Sequence, residues 1–485
     1  MADPSINKNN NRFIAEKFKN GRWVENSRVG FPSSILYQDF LPLKDPDFST
    51  CCSNVYQSFS ETVQRANEWL SHRQGYEVIT CESLACNSSE IPSYLADSWP
   101  RTSHLRGLRV WLRSPSEEEP AETGVRSLLS YRDFTPYLDR KNLFSRDYED
   151  TGVLLERLNA YLENRTVRAR ILALETLDTP MSGLLDIEMD TEKSSLTFSQ
   201  HGFTKYCRSL RAFFVTQYNK RPHDTKGSDI IPKIGLLDFI PKNKPEGLAS
   251  GEETVTEMMQ RALKWCSTTE GVTLLNLQVL SAKAGRATTA STWLLENPGH
   301  VFNKFISFVR VAYTLGEITE VKENASGEAD ASAEDEATDE ATEAGDTGGT
   351  DDMLVEVTSL PGVVSVAATR PPSGPVTGLH CKTFLPKQIA SGRLCRRGEW
   401  EPLEETVSRL NSWIDACQGA LVTVHTRYTY TQGRSGKVNP EDSRWARHLT
   451  GSGQVAVIHL VIMGGRSPTA LPALNQDPTP TCVIL

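Results

Sequence analysis

The stretch FSETVQRANEWL, Phe59–Leu70, governs how the whole chain is read, because the chain repeats it. Apolar residues spaced by three and four make it an amphipathic helix. Close variants recur as YEDTGVLLERLNAYL at 148–162, EETVTEMMQRALKWC at 252–266 and PLEETVSRLNSWI at 402–414. Aligned on Trp69, Tyr161, Trp265 and Trp413, they place Arg65, Arg157, Arg261 and Arg409 four residues before the anchor. Val63, Leu155, Met259 and Val407 fall six before it, and Asn67, Asn159, Leu263 and Asn411 two before it. The apolar residue and the aromatic share one helix face, so the aromatic belongs to a core.

Working outward, a second phrase precedes each helix: YQDFLP, YRDFTP, LLDFIP and CKTFLP. Its Phe lies 29, 27, 26 and 29 residues before the aromatic anchor, a register that chance does not produce. After each helix comes an alternating run ending at Leu84, Leu177, Leu280 or Tyr430, in which Glu82, Glu175, Gln278 and Arg427 align by distance from the anchor. A last apolar segment closes each copy and carries Arg109, Arg211, Arg310 and His459 at equivalent places. Period-two alternation marks half-buried strands, and the Pro of each phrase ends its strand.

The expectation is a mixed α+β protein of four tandem β-α-β-β modules whose antiparallel sheets pair, since a lone unit buries little apolar area against its chain entropy. The modules span 30–115, 126–220, 230–318 and 376–465, with an extension at 1–29, a linker at 319–375 and a flexible tail at 466–485. The length fits several domains of ~100–200 residues.

Charge is uneven. From Glu323 to Asp352 there are twelve Asp or Glu and no Lys or Arg, and without them the formal charge of −9 becomes +3. The linker is therefore an extended, self-repelling acidic tether, and the modules lack the basic excess of a nucleic-acid binder. The longest apolar run, Val455–Met463, is of strand length, and the start has no signal-peptide core, which implies synthesis in the cytosol. Ten cysteines without a C-x-x-C read as scattered reduced thiols, and the sequons at Asn87, Asn164 and Asn324 carry no meaning there.

No catalytic, cofactor or metal-ligand signature is present. GRSGK at Gly433–Lys437 is shorter than a phosphate-binding loop and reads as a basic hairpin tip, and the nine His residues show no paired ligand spacing. The helix arginines pair with strand carboxylates such as Glu82 or Glu175. Arg109, Arg211, Arg310 and His459 are the candidate ligand-binding residues. If two modules bring these strand faces together, the arginines line a groove suited to phosphate or carboxylate; otherwise they sit on the solvent side of an ordinary sheet.

The last four residues, Cys482-Val483-Ile484-Leu485, match a prenylation box whose Leu directs geranylgeranyl transfer to the Cys482 sulfur. One lipid holds reversibly, so a second membrane signal is required. The sequence thus reads as a non-enzymatic, prenylated modular scaffold or adaptor on the cytosolic membrane surface of a eukaryotic cell, with a protein prenyltransferase and an unidentified protein as partners. Its rivals are a binder of anionic small molecules or lipid headgroups between paired modules, and an enzyme with its site in the divergent fourth module.

Overall fold

A computed structural model describes residues 35–44, 55–73, 75–87, 101–114, 126–141, 146–164, 169–181, 189–199, 204–218, 233–244, 251–283, 289–296, 304–315, 378–390, 399–417, 420–430, 444–446 and 454–463. The linker, the sequons' loop at Asn324, the GRSGK tip and Cys482 lie outside them.

The first module comprises β1 (Ile35–Phe40), α1 (Phe59–Ser71), β2 (Glu77–Asn87) and β3 (Arg101–Arg113). The second holds β4 (Arg126–Phe134), the arms β5 (Leu138–Lys141) and β6 (Arg146–Tyr148), α2 (Thr151–Glu163), β7 (Arg170–Pro180), β8 (Ser195–Ser199) and β9 (Thr204–Tyr218). The third holds β10 (Lys233–Phe239), α3 (Val255–Thr268), β11 (Val272–Lys283), β12 (Trp293–Glu296) and β13 (Lys304–Leu315). The fourth holds β14 (Leu379–Phe384), the arms β15 (Gln388–Ala390) and β16 (Glu399–Trp400), α4 (Leu403–Cys417), β17 (Ala420–Tyr430), β18 (Arg444–Ala446) and β19 (Gln454–Met463). The protein is mixed α+β, built of repeated small antiparallel sheets with the last strand of each module between the first and second.

Local chemistry accounts for the elements. Ser58 and Thr254 close capping boxes with Glu61 and Glu257, and Asp150 caps α2, so orphan amides at these helix starts are satisfied. Gly75 and Gly271 take positive φ where the chain turns from helix to strand. Phe40, Phe134, Phe239 and Phe384 meet Trp69, Tyr161, Trp265 and Trp413 edge-on, with ring centroids 5.8–6.1 Å apart. The two phrases joined by a fixed spacing in the sequence thus touch in every module.

The second strands of the sheets touch one another in a closed cycle. β2 touches β7, β7 touches β11, β11 touches β17, and β17 returns to β2. Each helix is buried between its own sheet and the next module's: Phe59 and Ala66 pack with Leu129 and Phe213, Leu158 with Ile234, Met259 with Val461, and Leu410 with Ile35 and Trp111. Both faces of the central strands are therefore covered, and successive residues of β3, Val110 and Trp111, enter different cores.

Two further devices join neighbours in the same rotational sense. β8, β12 and β18 each leave their own module to pair with the last strand of the preceding one, β3, β9 and β13. The helix asparagines cap the first strand of the following module, whose edge is otherwise open. Asn67 Oδ1 accepts from Leu129 N at 2.7 Å and its Nδ2 donates to Leu129 O at 2.9 Å. Asn159 does the same to Ile234 at 2.8 and 2.9 Å, and Asn411 to Ile35 at 3.0 and 2.9 Å. The third joint has Leu263 there and is sealed by Leu379, Cys381 and Val422 against the core around α3. Asn159→Ala is expected to cost about 2 kcal/mol in denaturant unfolding, because Ile234 loses both partners in a buried setting. A loss below ~0.5 kcal/mol would mean that water replaces the amide.

Candidate functional site

The four second strands converge where the modules meet, and each contains one extra, bulged residue: Ile79, Leu172, Leu275 and Val422. Three residues beyond the bulge stand Glu82, Glu175, Gln278 and His425, directly across from Arg109, Arg211, Arg310 and His459. This corrects the sequence alignment, which matched Arg427 to the acids. The turn after α4 is shorter, so His425 takes that place and Arg427 takes the place of Leu84, donating to Ser307 Oγ at 2.8 Å.

The candidate arginines are neither groove-lining nor solvent-facing. Arg109, Arg211 and Arg310 are 2, 0 and 3% exposed, because the preceding module covers the face that carries them. Each grips the Asp of its own first strand through two parallel bonds of 2.6–2.7 Å: Arg109 on Asp39, Arg211 on Asp133, Arg310 on Asp238. The outer amino group then reaches a hydroxyl of the preceding module: Thr426 at 3.1 Å, Ser83 at 3.3 Å and Thr176 at 3.0 Å. In the fourth module Thr383 replaces the Asp and bonds His459 Nδ1 at 3.1 Å, and the preceding module offers Val279 instead of a hydroxyl.

The helix arginines also depart from expectation. Arg65, Arg157, Arg261 and Arg409 do not reach Glu82 or Glu175 but donate to the carbonyls of Leu41, Thr135, Ile240 and Leu385, just after each phrase's Phe. Each also binds the residue eight positions earlier, Gln57, Glu149, Glu253 or Glu401. A long side chain on the first helical turns cannot span the helix to strands on its far side, whereas the strand-to-helix corner lies beside it.

The central acids and amide bind between modules instead. Glu82 accepts from Thr426 N at 2.7 Å, Glu175 from Ser83 N at 2.8 Å and Gln278 from Thr176 N at 2.7 Å, a head-to-tail chain around the cycle. Glu82 also takes the Trp111 indole at 2.9 Å and the Thr426 hydroxyl at 2.6 Å, which satisfies it fully. Glu175 is 4% exposed, and its Oε2 meets no donor. Thr80, Glu82, Glu175, Asn276, Gln278 and His425 are among the lining of a small central cavity.

Burial raises the Glu175 carboxyl to about 7; Ser83 opposes this, Glu82 adds to it and Arg211 counters it. Burial also lowers His425, although Glu82, with Oε2 3.7 Å from Nδ1, pulls the other way. His459 is held lower still, by burial, His425 and Arg427, and its Nε2 has no partner. The cluster thus joins the fully hydrogen-bonded Glu82, a Glu175 carboxyl poised to exchange a proton near neutrality, an amide and two neutral imidazoles stacked 6.4 Å apart.

Cys81, Cys207, Cys266, Cys381 and Cys417 are free thiols. Among the described residues no group of His, Cys, Asp or Glu has the geometry to hold a metal, and no helix is long and apolar enough to cross a membrane. Comparison with protein-family models, with curated proteins and with solved structures finds no match to this chain.

Proposed function

We propose that this chain is a ring scaffold of four β-α-β-β modules that displays its outer surface to a protein partner while tethered to a membrane through prenylated Cys482. The observation that supports it is how the recurrent polar residues are used. Asn, Arg and Glu or Gln at matching positions bind module to module, so the repeated signature serves assembly of the ring. A rigid ring with repeated surfaces multiplies weak contacts into avidity. The tether rests on the CVIL motif at 482–485 alone.

Intact-mass analysis of protein from eukaryotic cells, with fractionation of wild type and Cys482→Ser, tests it. The expected result is a chain trimmed after Cys482 that carries an isoprenoid and leaves the membrane fraction on substitution. A native chain that continues past Leu485, or an unmodified Cys482, removes the tether.

A second reading is favoured by the unpartnered Glu175 Oε2. The central cavity receives one small hydrogen-bond donor or cation, rather than the anion that free arginines would attract. Ammonium raising the melting temperature of wild type but not of Glu175→Gln supports this reading, and equal effects on both abandon it.

A further inference from the structure

Six of the eight exposed large hydrophobic residues among those described cluster in one kind of place: Leu43, Val55, Tyr137, Leu138, Ile240 and Ile389. All lie on the corners between a module's first strand and its helix. There the chain goes out and back as two short arms, tied by Gln57 N to Leu43 O, Glu149 N to Tyr137 O, Glu253 N to Lys242 O and Glu401 N to Lys387 O. Tyr137 and Ile389 are 63 and 61% exposed, and the Arg157 guanidinium lies 4.1 Å over the Tyr137 ring.

The four corners occupy equivalent places in the ring. The joints run head to tail in a single sense, and a head-to-tail contact that closes makes a cyclic arrangement, in which equivalent segments lie on one circle about the axis. Every module thus presents apolar side chains at the same level of the ring.

Charge accompanies them. Lys44, Lys242 and Lys387 stand exposed on the same arms, one to two residues from Leu43, Ile240 and Ile389. Of the carboxylates at the foot of the arms, Glu149, Glu253 and Glu401 are each engaged by a helix arginine. Apolar corner residues with flanking lysines match the interface of an anionic bilayer, where the apolar side chains enter the headgroup boundary and the lysines meet phosphate.

We infer that this corner rim is a bilayer-docking surface selective for anionic lipid, and the second membrane signal that a single prenyl chain requires. The inference deepens the membrane reading, on which its cellular setting rests, but its test is independent of the lipid on Cys482.

Full-length Cys482→Ser protein is sedimented with vesicles of phosphatidylcholine alone and with added phosphatidylserine. Binding to the anionic vesicles alone, weakening with salt, is the expected result. In that background Leu43→Ser, Tyr137→Ser, Ile240→Ser and Ile389→Ser together reduce it about tenfold or more, and so do Lys44→Glu, Lys242→Glu and Lys387→Glu together. If the serine variant melts early, the charge variant carries the decision. Absence of binding overturns the proposal, as does binding that both variants retain, or self-association in solution that the serine variant abolishes, which makes the rim an interface between copies. A silent rim leaves the prenylation result untouched, and an unmodified Cys482 leaves the rim result untouched.

Discussion

Arg211→Ala is expected to destabilise the protein by about 3–5 kcal/mol, the range for removing one partner of a buried ion pair. The guanidinium is fully buried and holds Asp133 with bonds of 2.7 and 2.6 Å, Thr191 O at 3.0 Å and Ser83 Oγ at 3.3 Å. Its carbon also lies 3.8 Å over the Phe59 ring. Truncation leaves the Asp133 carboxylate, 10% exposed, without its bidentate partner, and opens the contact between the first two modules. Urea unfolding measures the loss. Arg211→Met with Asp133→Leu is expected to recover most of it, because the orphaned charge costs more than the missing pair. A single-variant loss below ~1 kcal/mol would mean that the fork does not hold this joint.

Glu175→Gln is expected to act in the opposite direction and only above mildly acidic pH. The folded carboxyl titrates at about 7 against an ordinary 4.5. Between those values the native state keeps a proton that the unfolded chain has lost, so stability falls as pH rises. It is fully present below about 4.5 and the loss is complete above about 7. The shift corresponds to about 3 kcal/mol. Glutamine, which fills the same place as Gln278 in the third module, carries no charge. The variant should therefore be more stable than wild type by up to about that amount at pH 8, and nearly equal to it at pH 4.5. Equal stability of the two proteins at pH 8 would refute the account of a carboxyl stranded without a donor.

Much of the architecture was legible in the sequence, and the rest was hidden for specific reasons. The fixed distance from the phrase's Phe to the helix aromatic was a contact written twice, and the two rings do meet. The burial of Arg109, Arg211 and Arg310 was not visible, because what covers them is another module, whose second strand supplies Thr426, Ser83 or Thr176, and no local periodicity encodes a distant neighbour. A signal existed all the same: Asp39, Asp133 and Asp238 become Thr383 in the copy where the arginine becomes His459. Two positions that change together are partners. His425 was missed because counting from the helix anchor assumes turns of equal length, and only the bulge fixes the register. β8, β12 and β18 sat inside what read as variable loops, since three to five residues give too short a pattern to betray pairing with a strand of another module.

Because those three strands lie in later modules than the sheets they complete, each unit leaves the ribosome unfinished. β3 waits for Ser195–Ser199, β9 for Trp293–Glu296 and β13 for Arg444–Ala446. The last joint waits longest, since Asn411 must find Ile35 across 376 positions of chain. Until then the face of the first sheet that holds Ile35, Ile79 and Trp111 has no cover. The nascent chain carries that sticky face until the fourth module has been made, and exposed apolar surface of this kind is what chaperones shield during translation. A message truncated ahead of the fourth module yields an incomplete ring whose first sheet stays permanently open to aggregation.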